Sequence, residues 1–231
     1  MNKISSLSIF FPALNDSKSL PSLIENATKI AKTCTNDFEV LVIDNGSKDN
    51  TREILEKLKK KNKNLKTFYY KSPLGYGGAL KEGFKNSKKD WVFYTDGDGQ
   101  YNPCDLKLLI KKLEPGIDVV NGYKKDRHDT WGRKITGSIY SNIIHFLYSI
   151  PIRDVDCDFR LINNKMIKKL SLKSKSGLIC LELILKLKKK GAKFAETEVS
   201  HYNRKYGRST VLNFSHLSSA LIEHLRFYFS A

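Results

Sequence analysis

The sequence predicts an α/β domain built on a mostly parallel central sheet flanked by helices, and three observations carry that expectation. First, short apolar runs in the first half alternate with amphipathic helical patterns, as βα units do. Second, each apolar run passes into a polar or glycine-bearing segment: residues 12–16, 44–47, 74–78, 96–100 and 121–124. In open sheets of this kind ligands bind outside the carboxyl ends of the strands, so five such segments predict one functional rim. Third, 231 residues with 40% hydrophobic content suffice for one α/β core or a core with a short extension.

Strands are expected at 7–14, 38–44, 66–70, 91–95 and 118–122, where apolar and β-branched residues cluster. Helices fall between them, near 17–33, 50–62, 76–87 and 103–113. Asp49 or Asn50 can cap the second helix, and Pro103 suits the first turn of the fourth. The second half is less regular. Residues 132–150 form a helical pattern with Ile139, Tyr140, Ile143, Ile144 and Leu147 on one side. A helix over 177–190 carries Glu182, and a strand follows at 193–202. A final amphipathic helix near 212–229 is rich in Leu, Phe and Tyr but interrupted by Glu223, His224 and Arg226. It could pack on the domain, dimerise, meet a membrane partner protein or lie in a membrane interface. The expected division is a catalytic domain over 1–210 and a C-terminal helix over 211–231.

A net charge of +17 predicts an anionic partner: nucleic acid, anionic lipid or a phosphorylated substrate. Part of that excess has a simpler origin in exposed lysine faces at 57–66 and 186–193. Nucleic acid is disfavoured, because no helix-turn-helix, RNA-recognition or zinc signature accompanies the charge. The scattered Cys34, Cys104, Cys157 and Cys180 contain no C-x-x-C pair, which argues against a zinc site and a disulfide framework. The five histidines share no ligand spacing and read as structural. No apolar run of signal-peptide or membrane-spanning length is present, so a cytoplasmic protein, soluble or peripheral at the membrane face, is expected.

The chemistry concentrates in Asp96-Gly97-Asp98, directly after the strand Trp-Val-Phe-Tyr-Thr. Two carboxylates this close repel unless a cation lies near them. Hard oxygen donors without His or Cys point to Mg²⁺ or Mn²⁺, which bind few carboxylates together with phosphate oxygens and water. Alone, the same residues also describe an ordinary acidic turn.

Their context favours a site. The segments Val42-Ile43-Asp44-Asn45-Gly46-Ser47, Gly75-Tyr76-Gly77-Gly78-Ala79-Leu80 and Asp96-Gly97-Asp98-Gly99-Gln100-Tyr101 occur in one chain and in this order. With Phe11-Pro12-Ala13-Leu14-Asn15-Asp16 and Arg204-Lys205-Tyr206-Gly207-Arg208-Ser209 they span roughly 10–210. In this the chain resembles family 2 glycosyltransferases of the GT-A nucleotide-diphospho-sugar transferase fold, and among them the polyprenyl-phosphate sugar synthases such as dolichyl-phosphate mannosyltransferase. The resemblance implies that Pro12, Leu14 and Asp16 line the nucleotide pocket and that Asp44 holds base or ribose. It implies that Asp96 approaches the donor while Asp98 and Gln100 ligate or support the metal. Lys124, Arg133 and Arg204 would bind the phosphate-bearing substrates, and Glu182 would lie in an acceptor-side helix. Asp158, Arg160 and Arg208 fall on the acceptor side.

Several positions depart from the family pattern. Asp16 stands where Glu is usual, Lys124 stands where Arg is common, Cys157-Asp158 replaces Ser-Gly, and Thr210 replaces Lys. The donor half is intact and the acceptor stays open. A lipid phosphate is already anionic and needs only basic residues to hold it. A sugar hydroxyl needs a carboxylate to take its proton, for which Asp158 and Glu182 are candidates. The expected activity is inverting, metal-dependent transfer from a nucleoside diphosphate sugar to polyprenyl phosphate. The alternatives are transfer to a sugar hydroxyl in surface polysaccharide assembly, and a non-catalytic relative that binds nucleotide sugars.

Overall fold

The computed structural model describes residues 3–124, 148–204 and 206. The expected helix at 132–150, apart from its last three residues, and the one at 212–229 lie outside the described residues, and with them Arg133 and Arg208. One seven-stranded sheet forms the centre, in the order β3-β2-β1-β4-β6-β5-β7. Its strands are β1 (Leu7–Ala13), β2 (Phe38–Asp44), β3 (Leu65–Tyr69), β4 (Trp91–Thr95), β5 (Val119–Lys124), β6 (Phe159–Asn163) and β7 (Phe194–Val199). The helices are α1 (Leu20–Cys34), α2 (Thr51–Lys61), α3 (Tyr76–Asn86), α4 (Leu106–Lys111), α5 (Asn164–Ile167) and α6 (Ile179–Lys189).

Strands β1 to β4 pair in parallel, and they read as nearly unbroken apolar runs because helices cover both faces. Leu7, Ile9 and Phe11 of β1 join Val40, Val42 and Phe93 beneath α1 and α4. Phe10 points the other way, into a second core with Leu41, Ile43, Tyr94 and the buried faces of α3 and α6. Helix α3 comes so close to β1 that a methyl at Gly83 would lie 2.3 Å from the Phe10 ring, so only glycine fits there.

Two expectations are corrected. The segment around 159–163 forms β6, which no alternating pattern announces because both its faces are buried; it runs antiparallel to β4 and β5. The fourth helix is shorter than 103–113. A 3₁₀ turn at Pro103–Asp105, capped when Cys104 N–H donates to Asn102 Oδ1, precedes the six-residue α4. At the second helix Asn50 is the N-cap residue and makes no side-chain cap bond, while Asp49 before it serves the first turn, its Oδ1 accepting from the Thr51 backbone N–H and hydroxyl.

The two antiparallel steps through β6 restore β5 to the direction of β4, and β7 runs parallel to β5. The carboxyl ends of β1 to β5 therefore share one rim, as expected, and the end of β7 joins them. Among the described residues no helix is long and apolar enough to cross a membrane.

Candidate active site

The loop after β4 is pinned from both sides. Gly97 N–H donates to the Pro12 carbonyl at 3.1 Å, and the Ser19 hydroxyl donates to the Gly97 carbonyl at 2.6 Å. A methyl at Gly97 would sit 2.8 Å from the Pro12 oxygen, so the approach of this loop to the end of β1 requires glycine. Asp96 and Asp98 leave the loop together. Tyr76 at the start of α3 donates its hydroxyl to Asp96 Oδ1 at 2.8 Å. Asp98 Oδ1 accepts the Gln100 backbone N–H at 2.9 Å, and Oδ2 accepts Arg204 Nη2 at 2.8 Å.

Arg204 arrives from the segment after β7. That segment is tied to the loop by the Tyr101–His201 bridge, and Tyr202 N–H donates to the Gln100 carbonyl at 2.8 Å. The Gln100 carboxamide nitrogen lies 3.3 Å from His201 Nε2 and donates to the Tyr202 carbonyl at 3.2 Å. Gln100 is thus engaged in holding Asp98 and the Arg204 segment.

Burial, and then the neighbouring Asp158 and Asp98, raise the Asp96 carboxyl well above its ordinary range. Burial is the larger cause, and the part due to Asp158 and Asp98 is negative charge that a cation would relieve. Among the described residues no three His, Cys, Asp or Glu side chains form a metal cluster. The donor set nevertheless fits a hard cation that takes Asp96 and Asp98 and fills its remaining positions with diphosphate oxygens and water.

Asp16 completes this corner, its Oδ2 accepting the Leu14 N–H at 2.9 Å. Burial above all, with Asp98 and Asp49 adding, pushes its carboxyl from the ordinary 3.8 to about 6, against the pull of the Leu14 N–H and Arg204. The folded protein then holds this proton more tightly than the unfolded chain. Stability from this group is full below about pH 4 and falls as pH rises to about 6. In metal-free protein, urea unfolding from pH 4 to 7 is expected to show that fall, and Asp16→Asn is expected to reduce it, leaving the share of Asp96, whose carboxyl is raised in the same direction.

The next part of the rim surrounds the end of β2. Asp44 Oδ1 accepts the Ser47 N–H at 2.9 Å, and Asn15, at φ 59°, accepts the Lys48 N–H at 2.7 Å. Asn tolerates that left-handed backbone better than most residues. Leu14 beside it is exposed, while Pro12 is buried in β1. On the other side Lys124 Nζ lies 3.8 Å from Asp154 Oδ2 and donates to the Asp156 carbonyl at 3.3 Å. Asp158 Oδ1 accepts the Cys180 thiol at 3.0 Å.

Two sequence-based roles are corrected. Arg160 is not an acceptor-side group. It is wholly buried between β4 and β5, donating Nε to Asn121 Oδ1 at 2.5 Å and its terminal nitrogens to the Tyr94 hydroxyl and the Val155 carbonyl. Glu182 is not placed as a base. It too is wholly buried, and its carboxylate accepts the Lys173 and Ser174 backbone N–H groups at 2.8 Å each and Lys186 Nζ at 2.6 Å. Both had the right residue type for the chemistry, and only their surroundings remove them from it. Tyr76, in contrast, was part of a motif with no role given to its ring.

A doubly covered, mostly parallel sheet that gathers an Asp-x-Asp pair and an arginine at its carboxyl rim defines a glycosyltransferase of the GT-A fold. Residues 8–171 match the profile of glycosyl transferase family 2, and the chain belongs to that family. An uncharacterised protein of Methanocaldococcus jannaschii is 34% identical over 202 residues, 82% of this chain and 85% of that protein. The undecaprenyl-phosphate 4-deoxy-4-formamido-L-arabinose transferase of Proteus mirabilis is 28% identical over 212 residues. That match covers 90% of this chain but 63% of that protein, so this chain spans less than two thirds of it. Among solved structures, glucosyl-3-phosphoglycerate synthase from Mycobacterium tuberculosis with Mn²⁺, UDP and phosphoglyceric acid superposes with a TM-score of 0.75. It is 17% identical, with 97% of this chain and 78% of that chain covered. The complex of that enzyme with Mn²⁺ and UDP-glucose gives 0.74 at 15% identity, covering 97% and 79%.

Proposed function

We propose that this glycosyltransferase moves a sugar, with inversion, from a nucleoside diphosphate sugar to a polyprenyl phosphate, using Mg²⁺ or Mn²⁺. The observation that carries the donor half is the convergence of Asp96, Asp98 and Arg204 on one rim, with Arg204 Nη2 2.8 Å from Asp98. Solved neighbours of the same fold carry UDP or UDP-glucose with Mn²⁺, which supports this reading. The Proteus relative, named for undecaprenyl phosphate, supports the lipid acceptor.

Asp96 and Asp98 would hold the metal, which when bound supplies positive charge against the charge developing on the leaving diphosphate. Arg204 lies beside Asp98 and would share the diphosphate's charge. Asp16, Leu14 and Asp44 line the adjoining rim, where the nucleoside would lie. An acceptor phosphate is its own nucleophile, so its attack needs orientation and cationic contacts, for which Lys124, Arg133 and Arg208 are the proposed groups. Such an enzyme would work peripherally at the cytoplasmic membrane face, where the net charge of +17 favours anionic lipid.

A second reading, transfer to a sugar hydroxyl, is favoured by Asp158. This carboxylate, held by the Cys180 thiol at 3.0 Å, adds to the negative charge around Asp96, and a hydroxyl acceptor needs a base of that kind. Labelled nucleotide sugars incubated with polyprenyl phosphate, with and without Mn²⁺ or Mg²⁺, distinguish the two. Metal-dependent lipid-linked product supports the first reading. Product only with oligosaccharide acceptors supports the second, and no lipid-linked product from any donor overturns the first.

A further inference from the structure

A run of contacts leads from Glu182 to Asp96. The Glu182 carboxylate is wholly buried on α6 and holds the backbone N–H groups of Lys173 and Ser174, both at 2.8 Å. The loop so held presses its carbonyls onto the start of α3. Gly77 N–H donates to the Lys175 carbonyl at 2.9 Å, and Lys81 Nζ donates to the Lys173 carbonyl at 3.1 Å. The fit leaves no room for side chains. A methyl at Gly75 would lie 2.4 Å from the Lys175 oxygen, and one at Gly77 2.5 Å from the Ser174 oxygen. Gly75 also stands at φ 75°, a left-handed backbone that glycine adopts freely. From the other side Asn45 clamps the same turn, accepting the Leu74 N–H at 2.7 Å and donating to the Gly75 carbonyl at 3.3 Å. Between these glycines stands Tyr76, whose hydroxyl reaches Asp96 Oδ1 at 2.8 Å.

We propose that Glu182, the 173–175 loop and Tyr76 form a brace that positions Asp96, so that Glu182 is a positioning residue and touches no substrate. Hydrogen bonds from behind fix the rotamer of a carboxylate that must present its other oxygen to a ligand, and their loss typically lowers metal affinity about 10–100-fold. The inference rests on the reading that Asp96 serves the donor's metal.

The test is Mn²⁺ titration of the full-length chain, followed by electron paramagnetic resonance without donor. Tyr76→Phe is expected to weaken Mn²⁺ binding about 10–100-fold at a nearly unchanged melting temperature. Glu182→Gln and Gly77→Ala are expected to weaken it in the same direction. Gly177→Ala, where a methyl meets nothing within 4 Å, is expected to behave as the wild type. Because the residues act in series, Tyr76→Phe/Glu182→Gln should match the weaker-binding single variant within about twofold. Wild-type affinity in Tyr76→Phe overturns the inference, as do fully multiplicative losses in the double variant. If Glu182→Gln fails to fold, Gly77→Ala combined with Tyr76→Phe tests the same series. If the wild-type chain binds no Mn²⁺ either alone or with a nucleoside diphosphate present, the metal reading fails, and the brace is judged by a thermal cycle of Tyr76→Phe with Asp96→Asn. Non-additive shifts in melting temperature then support the brace, and additive shifts overturn it.

Discussion

Asp98→Asn is expected to lower turnover on the order of a hundredfold or more, the scale seen when one preorganised charge-stabilising group is lost. The substitution keeps the shape of the side chain and can keep the acceptor for the Gln100 N–H. It removes the negative charge and turns an amide NH₂ or a neutral oxygen towards Arg204, which now sits 2.8 Å from a carboxylate oxygen. Both consequences would fall on the proposed donor site: the cation would lose one of two anionic ligands, and Arg204 would lose the partner that orients it. The metal concentration giving half-maximal rate should therefore rise along with the fall in kcat. The melting temperature should hold or rise slightly, because crowded carboxylates at this corner lose one charge. Steady-state assays across Mn²⁺ concentrations, paired with a thermal melt, check this. Wild-type turnover in Asp98→Asn would falsify the proposed metal role.

Arg160→Met should do the reverse, striking the fold first. Among the described residues Arg160 is the largest wholly buried side chain, and its guanidinium serves Asn121, Tyr94 and Val155, with Asp158 Oδ1 3.6 Å away. Methionine fills similar volume but leaves those acceptors unpaired and Asp158 without its cation. Removing one partner of a buried pair costs roughly 3–5 kcal/mol. For a chain of this size that corresponds to a Tm fall of roughly 6–20 °C. Urea and thermal unfolding measure it directly. A large loss of activity at unchanged stability would instead return Arg160 to the acceptor side.

The parallel half of the fold was legible because its signals are local. The runs at 38–44 and 91–95 match β2 and β4 residue for residue, and the other strand and helix ends shift by a few residues. Strand β6 was not legible, since a five-residue strand with its first four residues buried carries no period of its own. The placement of the acidic pair was readable in a local way too: Asp96 and Asp98 follow a strand, and strand ends share a rim. Arg160 and Glu182 were misplaced because Arg and Glu look alike in sequence whether they face a ligand or a buried partner. The ring of Tyr76 was missed because nothing near it in sequence says that α3 would start beside Asp96.

By itself, then, the sequence determined the βα frame, the rim of polar loops and the acidic pair, all of which follow from periodicity and turn chemistry within a few residues. Only the tertiary structure decided which charged groups face that rim. Arg204 reaches Asp98 across 106 residues of chain, Glu182 turns inward to hold a loop, and Arg160 is enclosed between two strands. The physical reason is that burial and hydrogen-bond partners, which fix what an ionisable side chain can do, are set by neighbours in space.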